Sequence, residues 1–218
     1  MRTIRKGKEP AAWARFRATP DARFGSTDAP KEELRRALVA EQHGLCCYCM
    51  GRIRPRPDEM KIEHWSAQSE HPEQQLDYGN LLGACPGGRG HRPRDQHCDT
   101  AKGNRELHIN PADPRSDCTP RFSYLRTGEV RPSADDRRVA EDITTLNLNV
   151  ARLRAGRRER IASVLHEVVR SKRSRSKHEL ERMAARFEQP DELGNLEPFC
   201  QAAIFWLRRQ ARQRPSSS

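Results

Sequence analysis

The segment Glu41-Gln42-His43-Gly44-Leu45-Cys46-Cys47-Tyr48-Cys49 puts two cysteines, Cys46 and Cys49, on either side of a two-residue spacer just after a helix-ending glycine. Thiolates at that spacing reach one ion from a single tight turn, and zinc prefers four such ligands in a tetrahedron. The seven cysteines are odd in number, and clustering of this kind argues for metal ligation over a secreted disulfide framework. One pair supplies only half of a closed site. Cys85 and Cys98 lie in the same stretch, so the expected tetrad is Cys46, Cys49, Cys85 and Cys98, with the Gly- and Arg-rich insert between the last two folding back. His91 and His97 stay open as substitutes for the downstream pair, whereas Cys47 with Cys49 is sterically poorer. Cys118 and Cys200 read as ordinary core or surface thiols. Four sulfurs leave no position for water or substrate, so such an ion is structural.

Around the cysteines, residues 45–112 are rich in Gly, Pro, His and Cys and poor in long apolar periods, so their order must come partly from outside a hydrophobic core. A β-like run from Met60 to Trp65 contains Glu63-His64, and a polar loop from Ser66 to Gly79 leads to the apolar Leu81-Leu82. A hairpin fits this pattern. Upstream, residues 1–44 read as an arm packed on the body, carrying Trp13, Phe16 and Phe24, followed by a helix. Asp28 is placed to cap that helix, Pro30 suits its first turn, Glu32 and Glu33 favour its positive end, and Leu34 and Leu38 share a face. Residues 113–218 read as helical. Apolar spacings of three and four run through Ile143 and Leu146, then Val150, Leu153, Ile161, Val164, Leu165 and Val168. Ser176 and Glu179 form a capping-box pattern, a last helix presents Phe199, Ala203, Trp206 and Leu207, and the end at Ser217-Ser218 is expected to fray.

The whole chain has 218 residues, with 34% hydrophobic and 33% charged. That balance is polar for a globular protein, so a metal or a partner is expected to supply part of its stability. Its 41 Lys and Arg against 30 Asp and Glu leave +11, a field that draws polyanions or simply a solvated basic surface. Arg152, Arg154, Arg157, Arg158 and Arg160, with Arg170, Lys172, Arg173 and Arg175, surround the long apolar stripe and are either phosphate contacts or a solvated helix face. No window approaches a bilayer span, and the Arg-rich start leads into no signal-peptide core, so no membrane association and a cytoplasmic location are expected.

Phosphodiester hydrolysis needs a base, a divalent metal and a geometry that holds both in line. Glu63-His64, Asn80 and Asp99, with Lys102 one helical turn after Asp99, supply those residue types. Their order, Cys-x-x-Cys, Glu-His, Asn-Leu-Leu-x-x-Cys and Cys-Asp-x-x-Lys, resembles the HNH or ββα-metal endonucleases. More narrowly, the chain resembles the PtuB-type HNH proteins of Septu and related retron anti-phage systems. The likeness is carried by Ile4-Arg5-Lys6-Gly7 with Glu9-Pro10, the cysteine segment above, Ile62-Glu63-His64-Trp65 and Tyr78-Gly79-Asn80-Leu81-Leu82. His97-Cys98-Asp99 with Lys102-Gly103, Ile109-Asn110-Pro111 and, more faintly, Leu146-Asn147-Leu148-Asn149 complete it. It covers roughly the first 150 residues.

The resemblance implies an α+β, predominantly helical fold, with a small ββα-metal core and its zinc followed by an α-helical C-terminal region. It implies His64 as general base, Glu63 as catalytic-metal ligand and Asn80 as the amide that orients loop and histidine. Asp99 stands where the family usually has His or Asn; with two carboxylates and no second motif histidine, magnesium or manganese is favoured over zinc or nickel. It further implies nucleic acid, DNA or RNA, as substrate and a PtuA-like ATPase as partner. Competing expectations are a zinc ribbon that only binds nucleic acid, and an HNH nuclease of restriction or repair.

Overall fold

A computed structural model describes residues 1–170 and 174–214, so Lys172 and Arg173 of the basic stretch and the Ser217-Ser218 end lie outside the described residues. Among the described residues seven α-helices carry the framework: α1 (Ala11–Arg17), α2 (Lys31–Glu41), α3 (Cys98–Lys102), α4 (Arg137–Thr145), α5 (Ala151–Val169), α6 (Lys177–Arg186) and α7 (Cys200–Arg212). Four short strands make two separate antiparallel hairpins, β1 (Lys61–His64) with β2 (Leu81–Ala84) and β3 (Phe122–Tyr124) with β4 (Val130–Pro132). Among the described residues the protein is thus mixed α/β, with two small two-stranded sheets beside its helices.

The N-terminal arm packs on the body and is itself partly helical. Two turns of helix form at Ala11–Arg17 because Trp13 and Phe16 drop into a core with Leu34, Leu38, Tyr78 and Leu81, and the Trp13 indole donates to the Leu76 carbonyl at 3.0 Å. Asp28 does not cap α2, whose first residue follows Pro30 with no side-chain cap. Burial of Leu34 and Leu38 places that helix. Lys6 pins the arm to its end: the ammonium donates to Glu41 at 2.5 Å and to the Leu81 carbonyl at 2.8 Å, while Tyr78 donates to the second Glu41 oxygen at 2.7 Å. One residue on, buried Gln42 donates to the carbonyls of Leu45 and Gly83 and accepts from the Gly83 amide, which joins α2, the cysteine turn and β2.

The region after residue 112 is less purely helical than expected. The β3–β4 hairpin is held from outside, since Asn149 pairs with both the amide and the carbonyl of Val130 at 2.9 Å. Its turn presses on α5 so closely that a Cβ on Gly128, whose φ is +79°, would lie 1.9 Å from the Arg154 carbonyl oxygen. Only glycine fits there. Downstream, Ser176 and Glu179 form the capping box their spacing suggested, and α6 and α7 enclose Leu180, Met183, Ala184, Cys200, Ala203 and Leu207. The main core runs through all three stretches of sequence, from Met1 and Ile4 through Cys46, Leu82 and Ile109 to Leu153, Ala202 and Trp206. No helix among the described residues is long and apolar enough to cross a membrane.

Candidate functional site: a four-cysteine centre beside a carboxylate pair

Cys46 and Cys49 flank a turn closed by Met50 N–H to the Cys46 carbonyl and Cys46 N–H to the Gly51 carbonyl, and the Gly51 amide points at Cys49 Sγ from 3.3 Å. Cys85 follows the last residue of β2, and Cys98 opens α3. The four ligand atoms all lie within 4.8 Å of one another and every one of these cysteines is buried. Cys46 and Cys98 sulfurs are 3.9 Å apart, those of Cys49 and Cys85 3.8 Å. Thiolates about 2.3 Å from one tetrahedral ion stand about 3.8 Å from each other. The four cysteines therefore fit a metal such as zinc.

Burial pushes the Cys46 thiol up, but hydrogen bonds from Cys47, Cys49, Cys85 and Cys98 overcome it and hold Cys46 well below the usual thiol range. His97 is no fourth ligand in place of a cysteine; its Nδ1 lies 3.1 Å from Cys98 Sγ and 3.9 Å from Cys85 Sγ, a hydrogen-bonding position outside the tetrad. His91 is exposed on the insert, and Cys47 is buried but outside the cluster. Cys118 and Cys200 are both buried.

Beside the cysteines, β1 pairs Glu63 with Leu82 and His64 with Leu81. Alternation along the strand puts Lys61 and Glu63 on one face and His64 on the other. On the first face Glu63 is buried and accepts from Tyr48 Oη at 2.7 Å and Lys102 Nζ at 2.6 Å, with Lys102 also donating to the His64 carbonyl at 2.7 Å. Asp99, in the first turn of α3, is paired with Lys61, which also donates to Thr100. Burial, then the hydrogen bond and charge of Asp99, push Glu63 up to about 8 against the pull of Lys102. Burial opposes ionisation of Asp99 too, but hydrogen bonds with Glu63 and Lys61 outweigh it and hold this carboxyl below the usual range. The two carboxyls thus act on each other, and each has its own ammonium partner, Lys102 for Glu63 and Lys61 for Asp99, so a divalent cation bound there would take the place that the lysines fill.

On the other face the His64 ring stands edge-on to Phe24, centroids 4.5 Å apart, with Nε2 3.0 Å from the Gln75 carbonyl. A carbonyl only accepts, so Nε2 carries the proton and Nδ1 keeps its lone pair. Burial lowers the His64 pKa, keeping the ring neutral. Asn80, buried at the end of a short turn capped by Asp77, braces the loop that presents Gln75. Its amide donates to the carbonyls of Ser66 at 3.0 Å and Gln74 at 3.3 Å and accepts from the Ser66 amide at 2.7 Å.

Several contributors escape a reading of the sequence alone. Tyr48 sits in plain view between the ligand cysteines, and Lys61 is findable as the residue two before Glu63 on the same strand face. Arg89, Arg92 and Arg94 are exposed on the insert between Cys85 and Cys98, whose backbone is tied down by Asn147 and, through Thr100, to α3. Conversely, Lys102 is 2% exposed and fully engaged with Glu63 and His64, so it positions groups and does not reach outward. Arg157, grouped with the basic helix face, is 3% exposed and unavailable to phosphates. Arg160 pairs with Glu197 at 2.6 Å, leaving Arg152, Arg154, Arg158 and Arg170 exposed.

The Lys102–Glu63 pair has a measurable consequence. Removing the buried ammonium leaves Glu63 and the His64 carbonyl without their shared donor, at a cost of about 1–3 kcal/mol. Lys102→Met is expected to lower unfolding stability by that order in urea titration, with Glu63→Gln added to it recovering much of the loss. An unchanged midpoint in the single variant would mean that the ammonium contributes nothing net.

No protein-family model and no curated protein matches the chain.

Proposed function

We propose that the chain is a metal-dependent HNH nuclease whose β1–β2 hairpin and α3 form a ββα-metal core, with a structural zinc on Cys46, Cys49, Cys85 and Cys98. What supports this reading is that Glu63 on β1 and Asp99 on α3 act on each other, each beside a lysine, and that His64, its Nε2 against the Gln75 carbonyl, ends the same strand. A magnesium or manganese ion held by Glu63 and Asp99 would stabilise charge on a phosphate and its leaving oxygen. His64 Nδ1 takes the proton from the attacking water, for which a neutral ring is required. Asn80 fixes the loop carbonyl that orients that ring, and Lys102 and Tyr48 hold Glu63 in place. The zinc, with four sulfur ligands, orders the cysteine turn, the end of β2 and the start of α3, the elements on which those side chains sit.

A nuclease must grip a polyanion, and the rigidly anchored insert with Arg89 and Arg92 beside α3 is the surface proposed for this. Removing one phosphate-binding side chain lowers the salt dependence of binding by about one unit of slope. Arg89→Ala with Arg92→Ala is expected to flatten log K against log salt by about 1–2, measured by fluorescence anisotropy on a labelled strand, across sequences alike. An unaltered slope would place the phosphate path elsewhere. By its likeness to PtuB-type proteins, the chain is further proposed to act in anti-phage defence with a PtuA-like ATPase in the cytoplasm.

A second reading is favoured by the lysines: because Lys61 and Lys102 already hold the two carboxylates, the network can be purely structural in a zinc-based module that binds nucleic acid without cutting it. Cleavage of labelled DNA or RNA that requires added magnesium or manganese supports the nuclease. Binding without cleavage supports the module.

A further inference from the structure

Arg157 is the only arginine among the described residues that is nine-tenths or more buried, and its donors go to neutral acceptors. Nε donates to the Gly128 carbonyl at 2.6 Å, and an Nη to the Leu148 carbonyl at 2.6 Å and the Asn149 side-chain oxygen at 3.2 Å. Those bonds satisfy its N–H groups but not its charge. A buried guanidinium cannot shed its proton, and a buried charge without a counter-charge is among the costliest features a fold can hold. No carboxylate pairs with it among the described residues. The acidic groups whose ionised forms would favour its charge are the Tyr124 phenol and the thiols of Cys49 and Cys98, of which Cys98 is held up by burial. Tyr124 is buried with its pKa raised, so it is neutral. Arg157 and Cys49 line one small cavity with Tyr48, Leu148 and Phe199, and the segment that binds the guanidinium also accepts the Cys98 amide, at the Leu146 carbonyl.

Zinc on four thiolates carries a net charge of −2 by simple addition, buried here where water does not screen it. We propose that Arg157 is the buried counter-charge of the four-cysteine metal centre, so that α5, remote in sequence, is part of the zinc site. His97, with Nδ1 at 3.1 Å from Cys98 Sγ, adds a hydrogen bond to one thiolate without adding charge. The same arginine holds the β3–β4 turn at Gly128 and the Leu148–Asn149 segment. Metal occupancy and the seating of the β3–β4 hairpin on α5 are therefore linked. This inference rests on the reading that the cysteines hold zinc.

The test is zinc affinity of the whole chain, by competition with a chromophoric chelator, for wild type, Arg157→Gln and Arg157→Lys. Glutamine keeps some hydrogen bonding and no charge; lysine keeps the charge and fewer bonds. Arg157→Gln is expected to weaken zinc binding at least about tenfold and Arg157→Lys several-fold less, the ordering that charge compensation requires. Equal affinity in all three, or lysine no better than glutamine, overturns the proposal, because the bonds to Gly128 and Leu148 alone would then explain the residue. Should Arg157→Gln fail to fold, Arg157→Lys decides: one zinc per chain at near wild-type affinity supports the proposal, and loss of zinc or of folding overturns it. A wild-type chain that binds no zinc refutes the metal-site reading itself, a distinct outcome.

Discussion

Cys49→Ser is expected to leave the protein with less than one zinc per chain and to lower its melting temperature by at least about 10 °C, or to make it insoluble. Structural zinc contributes about 10–16 kcal/mol in small modules, and losing even about 5 kcal/mol shifts melting by about 10–20 °C in a chain of this size. The reason for so large an effect is local. Three elements meet at the cysteines: the turn carrying Cys46 and Cys49, the end of β2 at Cys85, and Cys98 at the start of α3. The hairpin has only four residues per strand and α3 only five in all, too little to hold its own shape. Cys47→Ser, next door and equally buried but outside the tetrad, is expected to keep its zinc. Metal content by mass spectrometry together with calorimetric melting checks both; a Cys49→Ser protein with one zinc and wild-type melting would remove Cys49 from the ligand set.

His64→Ala is expected to lower single-turnover cleavage by about 10²–10⁴-fold, the usual contribution of a positioned general base, while folding and nucleic-acid binding persist. The energetics separate the two effects. The ring gives up one edge-on contact with Phe24 and one hydrogen bond to Gln75, together about 1–3 kcal/mol, and neither the zinc tetrad nor the Glu63–Lys102 pair touches its side chain. Retained metal-dependent cutting by this variant would take His64 out of the mechanism.

What could be read in advance was what depends on neighbours in sequence. Alternation at Lys61 to His64 and the apolar Leu81-Leu82 announced a hairpin, the Cys46–Cys49 spacing announced half of a metal site, and Ser176 with Glu179 announced a helix start. What could not be read depends on groups brought from afar. The two turns at Ala11–Arg17 are too short to stand alone and exist because Trp13 and Phe16 are buried against α2. The β3–β4 hairpin, with three-residue strands, is assembled by Asn149 and by the closeness of Gly128 to α5. Arg157 shows the limit most sharply: in an arginine-rich helix, residue spacing cannot tell a solvated side chain from one turned inward onto the carbonyls of Gly128 and Leu148. The divergence of Glu63 and His64 to opposite faces follows from strand alternation, and in the proposed nuclease it would restrict a phosphate to the strand end, between the two carboxyls and His64 Nδ1.

The most direct test of a nuclease built on this hairpin and helix is cleavage of end-labelled single- and double-stranded DNA and RNA by the zinc-loaded chain, in buffer freed of other divalent ions and then supplied with magnesium or manganese. Shortened products that appear only with the added ion, and that vanish in His64→Ala at equal binding, are predicted. Tight binding with no product under either ion, or equal product with and without His64, would contradict it.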